Sequence, residues 1–274
     1  MISTTVVQLQ DPALDEFLGR KIALFTTLEG ENPGGSIKDH MVLGSLKKLL
    51  ADGVLKSDTI ITEASAGSTA LSLAYYSHLH HVRCTLFVPE AHPQAALDRL
   101  RVLGADVRLT DPSWEAYYKF VQEPGVLSFN QHLDAGKRVF YRELGKKIFK
   151  KIGSVDAIIG AVGTGHSLLG VTEGMGGDPY LATAEPETEK VSGIRNIDTL
   201  RYGDNDPCTP DLFDERIFLK ASEFFSGSSL MTDLGPIDFA DSFLVALGGL
   251  AKLVRSRPQT TSCFVLGSTN KRIA

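Results

Sequence analysis

The chain has 274 residues, 28 Lys and Arg against 33 Asp and Glu, a formal net charge of −5 and 43% hydrophobic residues, the balance of an ordinary globular chain rather than a disordered or fibrous one. The acidic balance excludes the basic footprint of a nucleic-acid or anionic-membrane binder, and no apolar run reaches the ~20 residues of a bilayer-spanning helix. Cys84, Cys208 and Cys263 show no metal-ligand spacing, Cys84 and Cys263 read as reduced core residues, and residues 1–10 lack the basic head and apolar core of a secretory signal, so the expectation is a cytoplasmic protein.

In chain order, residues 1–29 read as a lead-in segment with one strand over 22–27. Asn32-Pro33-Gly34-Gly35-Ser36-Ile37-Lys38-Asp39 then predicts a tight turn, since proline fixes one dihedral and glycine accepts angles closed to other residues. Ile37, Met41, Leu43, Leu46, Leu49 and Leu50 recur at helical spacing behind it, as far as Asp52-Gly53. Lys38 therefore falls in the first turn of a helix, where the dipole disfavours a cation. Such a lysine is either solvated or used as the neutral amine, the form that bonds to a carbonyl cofactor.

A strand over 59–64, a helix over 67–80, a strand over 82–88 and a helix that Pro93 starts and Gly104 stops come next. A short strand over 106–109 and a helix over 112–122 close this batch. The second batch has a helix over 137–151, a strand over 156–162, a helix over 165–173 and a strand over 180–184. A loop-rich stretch over 186–215, an extended segment over 217–221, a long helix over 236–255 and a buried strand over 262–266 complete it. This alternation predicts parallel sheets with right-handed crossovers, and its two batches, before and after about residue 135, predict two α/β lobes with a cleft between them.

Three further stretches could carry chemistry. Gly160-Ala161-Val162-Gly163-Thr164-Gly165-His166-Ser167 links an apolar strand to a helix, so converging N–H groups, a helix N-terminus and two hydroxyls describe a phosphate cradle. It carries neither the Gly-Lys-Ser/Thr of a P-loop nor a full dinucleotide fingerprint, and a ligand-free turn has the same composition. Glu63-Ala64-Ser65-Ala66-Gly67-Ser68-Thr69-Ala70 can hold a carboxylate at a helix start or simply cap it. Phe264-Val265-Leu266-Gly267-Ser268-Thr269 ends a buried strand on hydroxyls. His78, His80 and His81 crowd a helix end without a metal-ligand pattern, the aspartates from Asp198 to Asp214, Asp206 among them, read as a solvated loop, and Trp114 reads as packing.

In order and spacing these stretches resemble the fold-type II pyridoxal-phosphate enzymes, in particular the cysteine synthase (O-acetylserine sulfhydrylase) and cystathionine β-synthase family, over residues 22–270. The resemblance implies a tryptophan synthase β-like, two-lobed α/β fold with parallel-sheet, three-layer lobes. Residues 1–36 and 136–274 would form the larger, phosphate-binding lobe, and 37–135 a smaller, mobile, substrate-binding one. It implies that Lys38 carries pyridoxal 5'-phosphate as an internal aldimine and then acts as the proton-transfer base. Gly163, Thr164, Gly165, His166 and Ser167 would hold the phosphate, Ser68 the phenolic oxygen, and Thr269, or Ser268 one position earlier, the pyridine nitrogen. Ser65, Ala66, Gly67, Ser68, Thr69 and Gln131 would bind the substrate, with Gly193 on a loop beside it.

The activity so implied is β-replacement on O-acetyl- or O-phospho-L-serine through an aminoacrylate, in a homodimer with no nucleic-acid or membrane partner. A hydroxyl at the pyridine nitrogen suits that chemistry, because it leaves the ring largely unprotonated. The sequence departs from the family at Ser68 for asparagine, Ala66 for serine, His40 for arginine and His166 for glycine. These changes keep open an amine nucleophile giving a diaminopropionate-type product, a serine or threonine dehydratase, a racemase, and a non-catalytic homologue.

Overall fold

Short aliphatic runs become buried strands and the amphipathic stretches between them become helices, as their two periodicities require. The computed structural model describes residues 2, 4–227 and 229–272. In chain order the elements are β1 (Val6–Leu9), α1 (Pro12–Leu18), β2 (Ala23–Thr27), α2 (Lys38–Ala51), β3 (Ile60–Ala64), α3 (Ser68–Leu79), β4 (Arg83–Pro89), α4 (Gln94–Val102), β5 (Asp106–Thr110), α5 (Glu115–Phe120) and β6 (Val126–Ser128). They continue with α6 (Arg138–Ile152), β7 (Ala157–Ala161), α7 (His166–Met175), β8 (Tyr180–Pro186), β9 (Glu215–Leu219), β10 (Ser229–Thr232), β11 (Gly235–Phe239), α8 (Asp241–Ser256), β12 (Ser262–Leu266) and β13 (Thr269–Arg272).

The chain divides into two compact units, Pro33–Asp134 and the discontinuous pair Met1–Asn32 with Ala135–Ala274. The contiguous unit holds a sheet in the order β5-β4-β3-β6, parallel throughout, with Ile61 paired to both Cys84 and Leu127. Central β3 and β4 are buried along nearly their whole length, β4 as a largely apolar run and β3 with Thr62 and Glu63 buried among its aliphatic residues. Phe87, Tyr117 and Phe120 form a small aromatic core there, with Trp114 packed against it and the Arg108 guanidinium 4.4 Å from the Phe120 ring centre.

The discontinuous unit holds nine strands in the order β13-β11-β10-β1-β2-β12-β7-β8-β9. From β2 to β9 the pairing is parallel, and from β2 to β13 it is antiparallel. Helix α8, with Phe243, Val245, Ala246, Leu247 and Leu250 all at 0% exposure, fills the core against β7, β8 and β9. A helix so apolar is an internal one, held by burial rather than by propensity.

The expectation of parallel sheets thus holds for one unit and for half of the other. The antiparallel half uses β1, β10, β11 and β13, four- and five-residue strands too short for periodicity to single out. The helix expected over 236–255 starts at Asp241 instead. Its first residues form β11, because the Asp233-Leu234-Gly235 turn folds β11 back on β10 with Pro236 opposite Met231, and Ile237 and Phe239 alternate into the core. The helix expected over 112–122 shrinks to Glu115–Phe120 behind an Asp111–Ser113 turn, in which Ser113 N–H donates to Asp111 Oδ1. Cys84, Cys208 and Cys263 are buried free thiols. Among the described residues no helix is long and apolar enough to cross a membrane, and no His, Cys, Asp and Glu cluster could hold a metal ion.

Candidate functional site

In the contiguous unit the turn before α2 is organised by Asp39, which is fully buried. Its carboxylate accepts hydrogen bonds from Gly34 N–H at 2.6 Å, Ser72 Oγ at 2.5 Å and Tyr76 Oη at 3.0 Å. A Cβ on Gly34 would overlap the Asp39 carboxylate, so this close approach requires glycine. Ser36 Oγ accepts the Lys38 N–H at 3.2 Å, and α2 begins at Lys38 itself. The lysine is therefore presented from a turn locked at both ends. Burial lowers the Lys38 ammonium from its ordinary 10.5 to about 8, so the neutral, nucleophilic amine is a minority form near neutral pH and far more accessible than in a free lysine.

The same unit places Ser65 to Thr69 and Gln131 together. Thr69 Oγ1 donates to Gln131 Oε1 at 2.5 Å, which turns the Gln131 amide nitrogen away as a double donor. Buried Glu63 ties Gln131 to the end of β3: its carboxylate accepts Gln131 N–H and Ala64 N–H, each at 3.0 Å. Leu71 N–H is the first to bond back into α3, to Gly67 O, so the N–H groups of the preceding turn are unclaimed among the described residues. Ser68 is exposed on that turn, Ser65 and Ala66 are half-buried, and the whole arrangement is suited to a carboxylate.

In the discontinuous unit β7 runs into the Gly163–Ser167 turn and α7. Gly165 has φ +82° and stands against Cys208, where a Cβ would overlap the sulfur; a side chain here would be both strained and excluded. Thr164 Oγ1 accepts the His166 N–H at 3.3 Å, and Leu169 N–H is the first to bond back, to Gly165 O. Among the described residues the N–H groups of Thr164, Gly165 and Ser167 donate to none, an arrangement at the start of a ten-residue helix that can receive an anion. The His166 side chain is fully buried. Gly193 is exposed, with its carbonyl so close to Gly163 that a Cβ there would overlap it.

A buried ion pair holds the segment after Gly193 to this turn. Arg195 and Asp206 side chains are 1% and 0% exposed and paired through both carboxylate oxygens. Arg195 Nε also donates to Gly163 O and Nη1 to Leu200 O, each at 2.8 Å, while Arg195 N–H bonds Val162 O. Asp206 further accepts Tyr202 N–H and Cys208 N–H. Burial alone would raise the Asp206 carboxyl, but these bonds outweigh it and hold it at about 2. Removing one partner of such a pair costs about 3–5 kcal/mol, against at most ~1 kcal/mol for exposed pairs such as Lys48–Asp52. The expectation of a solvated aspartate loop fails at Asp206. A second clasp, Arg216 on buried Glu185 and on Asp198, holds the same segment through Ile197 N–H, which donates to Glu185.

Past β12, at the start of β13, Thr269 Oγ1 donates to Thr27 O at 3.0 Å and accepts Glu29 N–H at 2.9 Å, so its proton is spent on the backbone. Ser268 uses its N–H on Ser242 Oγ and its carbonyl on Ala240 N–H, and its half-buried hydroxyl engages no described residue. Sequence reasoning named the ligand-facing stretches but gave no role to Asp39, Glu63, Arg195 or Asp206. Asp39 and Glu63 sat inside the stretches already singled out. Arg195 had one signal, a lone arginine two residues beyond Gly193 and flanked by Ile194 and Ile197.

Comparison with known proteins places this geometry. A Staphylococcus aureus cysteine synthase is 26% identical over 195 residues, 62% of this chain and 63% of that protein, so the match spans less than two thirds of the relative's length. The crystal structure of a cysteine synthase from Entamoeba histolytica matches with TM-score 0.80 and 19% identity, over 98% of this chain and 85% of that one. An O-ureido-L-serine synthase structure matches with TM-score 0.78 and 15% identity, over 97% and 89%. These two likenesses establish the fold. A family model described as pyridoxal-phosphate dependent enzyme matches residues 3–204, covering the lysine turn, the α3 start and the Gly163–Ser167 turn in one alignment. On the strength of that match, the chain belongs to the pyridoxal-phosphate dependent enzyme family.

Proposed function

We propose that this enzyme carries out β-replacement on an O-activated L-serine, O-acetyl- or O-phospho-L-serine, in the manner of a cysteine synthase. The observation that carries the reading is Lys38, presented from the Asp39-locked turn with its pKa lowered to about 8. The residues present fit the cofactor: the start of α7 offers unclaimed N–H groups to a phosphate, and Gly163 and Gly165 let that turn pack against Gly193 and Cys208. Pyridoxal phosphate, when bound, supplies the electron sink that acidifies the substrate Cα–H and lets the β-substituent leave.

In this reading the N–H groups of Thr164, Gly165 and Ser167 and the Thr164 and Ser167 hydroxyls bind the phosphate, with His166 contributing as part of the turn. Ser268 is the better donor toward the pyridine nitrogen, since the Thr269 proton is engaged by Thr27. Lys38 Nζ would hold the cofactor's carbonyl carbon and, as the free amine, would take the substrate's Cα proton. Gln131 Nε2, the α3 N-terminus and the Ser65–Thr69 segment orient the substrate carboxylate, and Ser68 faces the phenolic oxygen. Thr69 acts through Gln131, because its own hydroxyl is committed there. Gly193 lets its loop approach the substrate without a side chain.

An absorbance spectrum of the purified protein tests this. A visible cofactor band is expected, lost in Lys38→Ala and moved to longer wavelength by O-acetyl-L-serine or O-phospho-L-serine. Sulfide or an amine then restores it and identifies the nucleophile. Pyruvate release without any nucleophile would instead favour elimination, and absence of the band after reconstitution would overturn the enzymatic reading.

A further inference from the structure

The guanidinium of Arg195 reaches the Gly163–Ser167 turn, the proposed phosphate seat, from behind. Its Nε bonds Gly163 O at 2.8 Å, and its two terminal nitrogens are held by Asp206 and by Leu200 O. The Gly163 carbonyl and the Thr164 N–H belong to one planar trans peptide, so they point in opposite directions. Fixing that oxygen therefore fixes where the Thr164 N–H points. Gly163 has no side chain of its own to anchor this peptide, and the hydrogen bond described on its carbonyl is the one from Arg195 Nε. Tyr202 covers the guanidinium, 4.7 Å from its ring centre, and the Tyr202 and Cys208 N–H groups complete the coordination of Asp206. The clasp is thus saturated and rigid. It touches the seat's backbone rather than its contents.

We propose that Arg195, held by Asp206, is a positioning residue for the phosphate seat: it locks the Gly163–Thr164 peptide so that the Thr164 N–H is preset to receive the phosphate. This rests on the reading that the Gly163–Ser167 turn binds the cofactor phosphate. A preset donor spares the ligand the ordering of that peptide, and its effect is confined to ligands that carry the phosphate.

The test compares the affinity of the cofactor-free full-length chain for pyridoxal 5'-phosphate and for pyridoxal, which lacks the phosphate, followed by absorbance. Arg195→Gln removes the charge and the Nε bond. Arg195→Lys keeps a cation for Asp206, and so protects the fold, but cannot serve Asp206 and Gly163 O together. Both variants are expected to weaken pyridoxal 5'-phosphate ~10- to 100-fold while pyridoxal stays within about threefold. The bound cofactor's phosphorus resonance is expected to move in Arg195→Lys. Equal losses for both ligands would assign Arg195 to general stability, and unchanged affinity for both would also overturn the proposal. A wild-type chain that shows no preference for the phosphorylated ligand would overturn the seat itself, a separate failure from that of Arg195.

Discussion

Lys38 is a residue whose protonation folding changes within reach of neutral pH. Its pKa is about 8 in the folded chain against an ordinary 10.5, so between those values the unfolded chain binds the extra proton. Stability of the cofactor-free protein from this one group therefore rises with pH across that window, by at most about 1.4 kcal/mol per pH unit. Cys84, pushed up by burial to about 12 from 9, acts oppositely above about pH 9. The difference between wild type and Lys38→Met isolates the lysine: the wild type is expected to gain on the variant between about pH 8 and 10.5 in denaturant melts. Parallel stability curves would mean that the amine is ordinary and that the Asp39 turn does not present it desolvated.

At the scale of elements, the Ser65–Thr69 and Gly163–Ser167 stretches are strand-to-helix turns whose helix starts leave N–H groups unclaimed among the described residues. This was legible in the sequence, because small and hydroxyl residues between an apolar run and an amphipathic one are distinctive. What ties such a turn down was not legible. Gln131 belongs to a loop 62 positions beyond Thr69, and its donor pair is aimed only because Thr69 and Glu63 occupy its other groups. Gln131→Glu replaces those donors by a second carboxylate. It is expected to raise KM for the amino-acid substrate ~10- to 100-fold while kcat changes only a few-fold, measured by steady-state kinetics. An unchanged KM would remove Gln131 from carboxylate binding. Likewise, nothing local marks Asp206 as buried among its solvated neighbours; its status is set by Arg195, eleven positions away.

Across the whole molecule, the strand–helix alternation announced the α/β class, and the parallel strands read well because burial on both faces makes them continuous apolar runs. The antiparallel strands beside β2 were missed because four residues such as Val6–Leu9 or Ser229–Thr232 carry too little pattern, and their pairing is fixed by tertiary context. The division into Pro33–Asp134 and the remainder also bears on how the chain assembles. Strand β12, at Ser262–Leu266, sits between β2 and β7 in the large sheet, so its central pairing needs residues more than a hundred positions beyond the end of the contiguous unit. During synthesis at ~5–20 residues per second, the first unit would have all its strands roughly 10 s before the second could close around β12. Pulse-labelled hydrogen exchange during refolding is expected to protect β3 and β4 before β7 and β12; simultaneous protection would show one cooperative unit instead. Between those two moments the nascent chain carries a complete small sheet and an apolar, half-paired large one, and that interval is when it depends most on being kept from other chains.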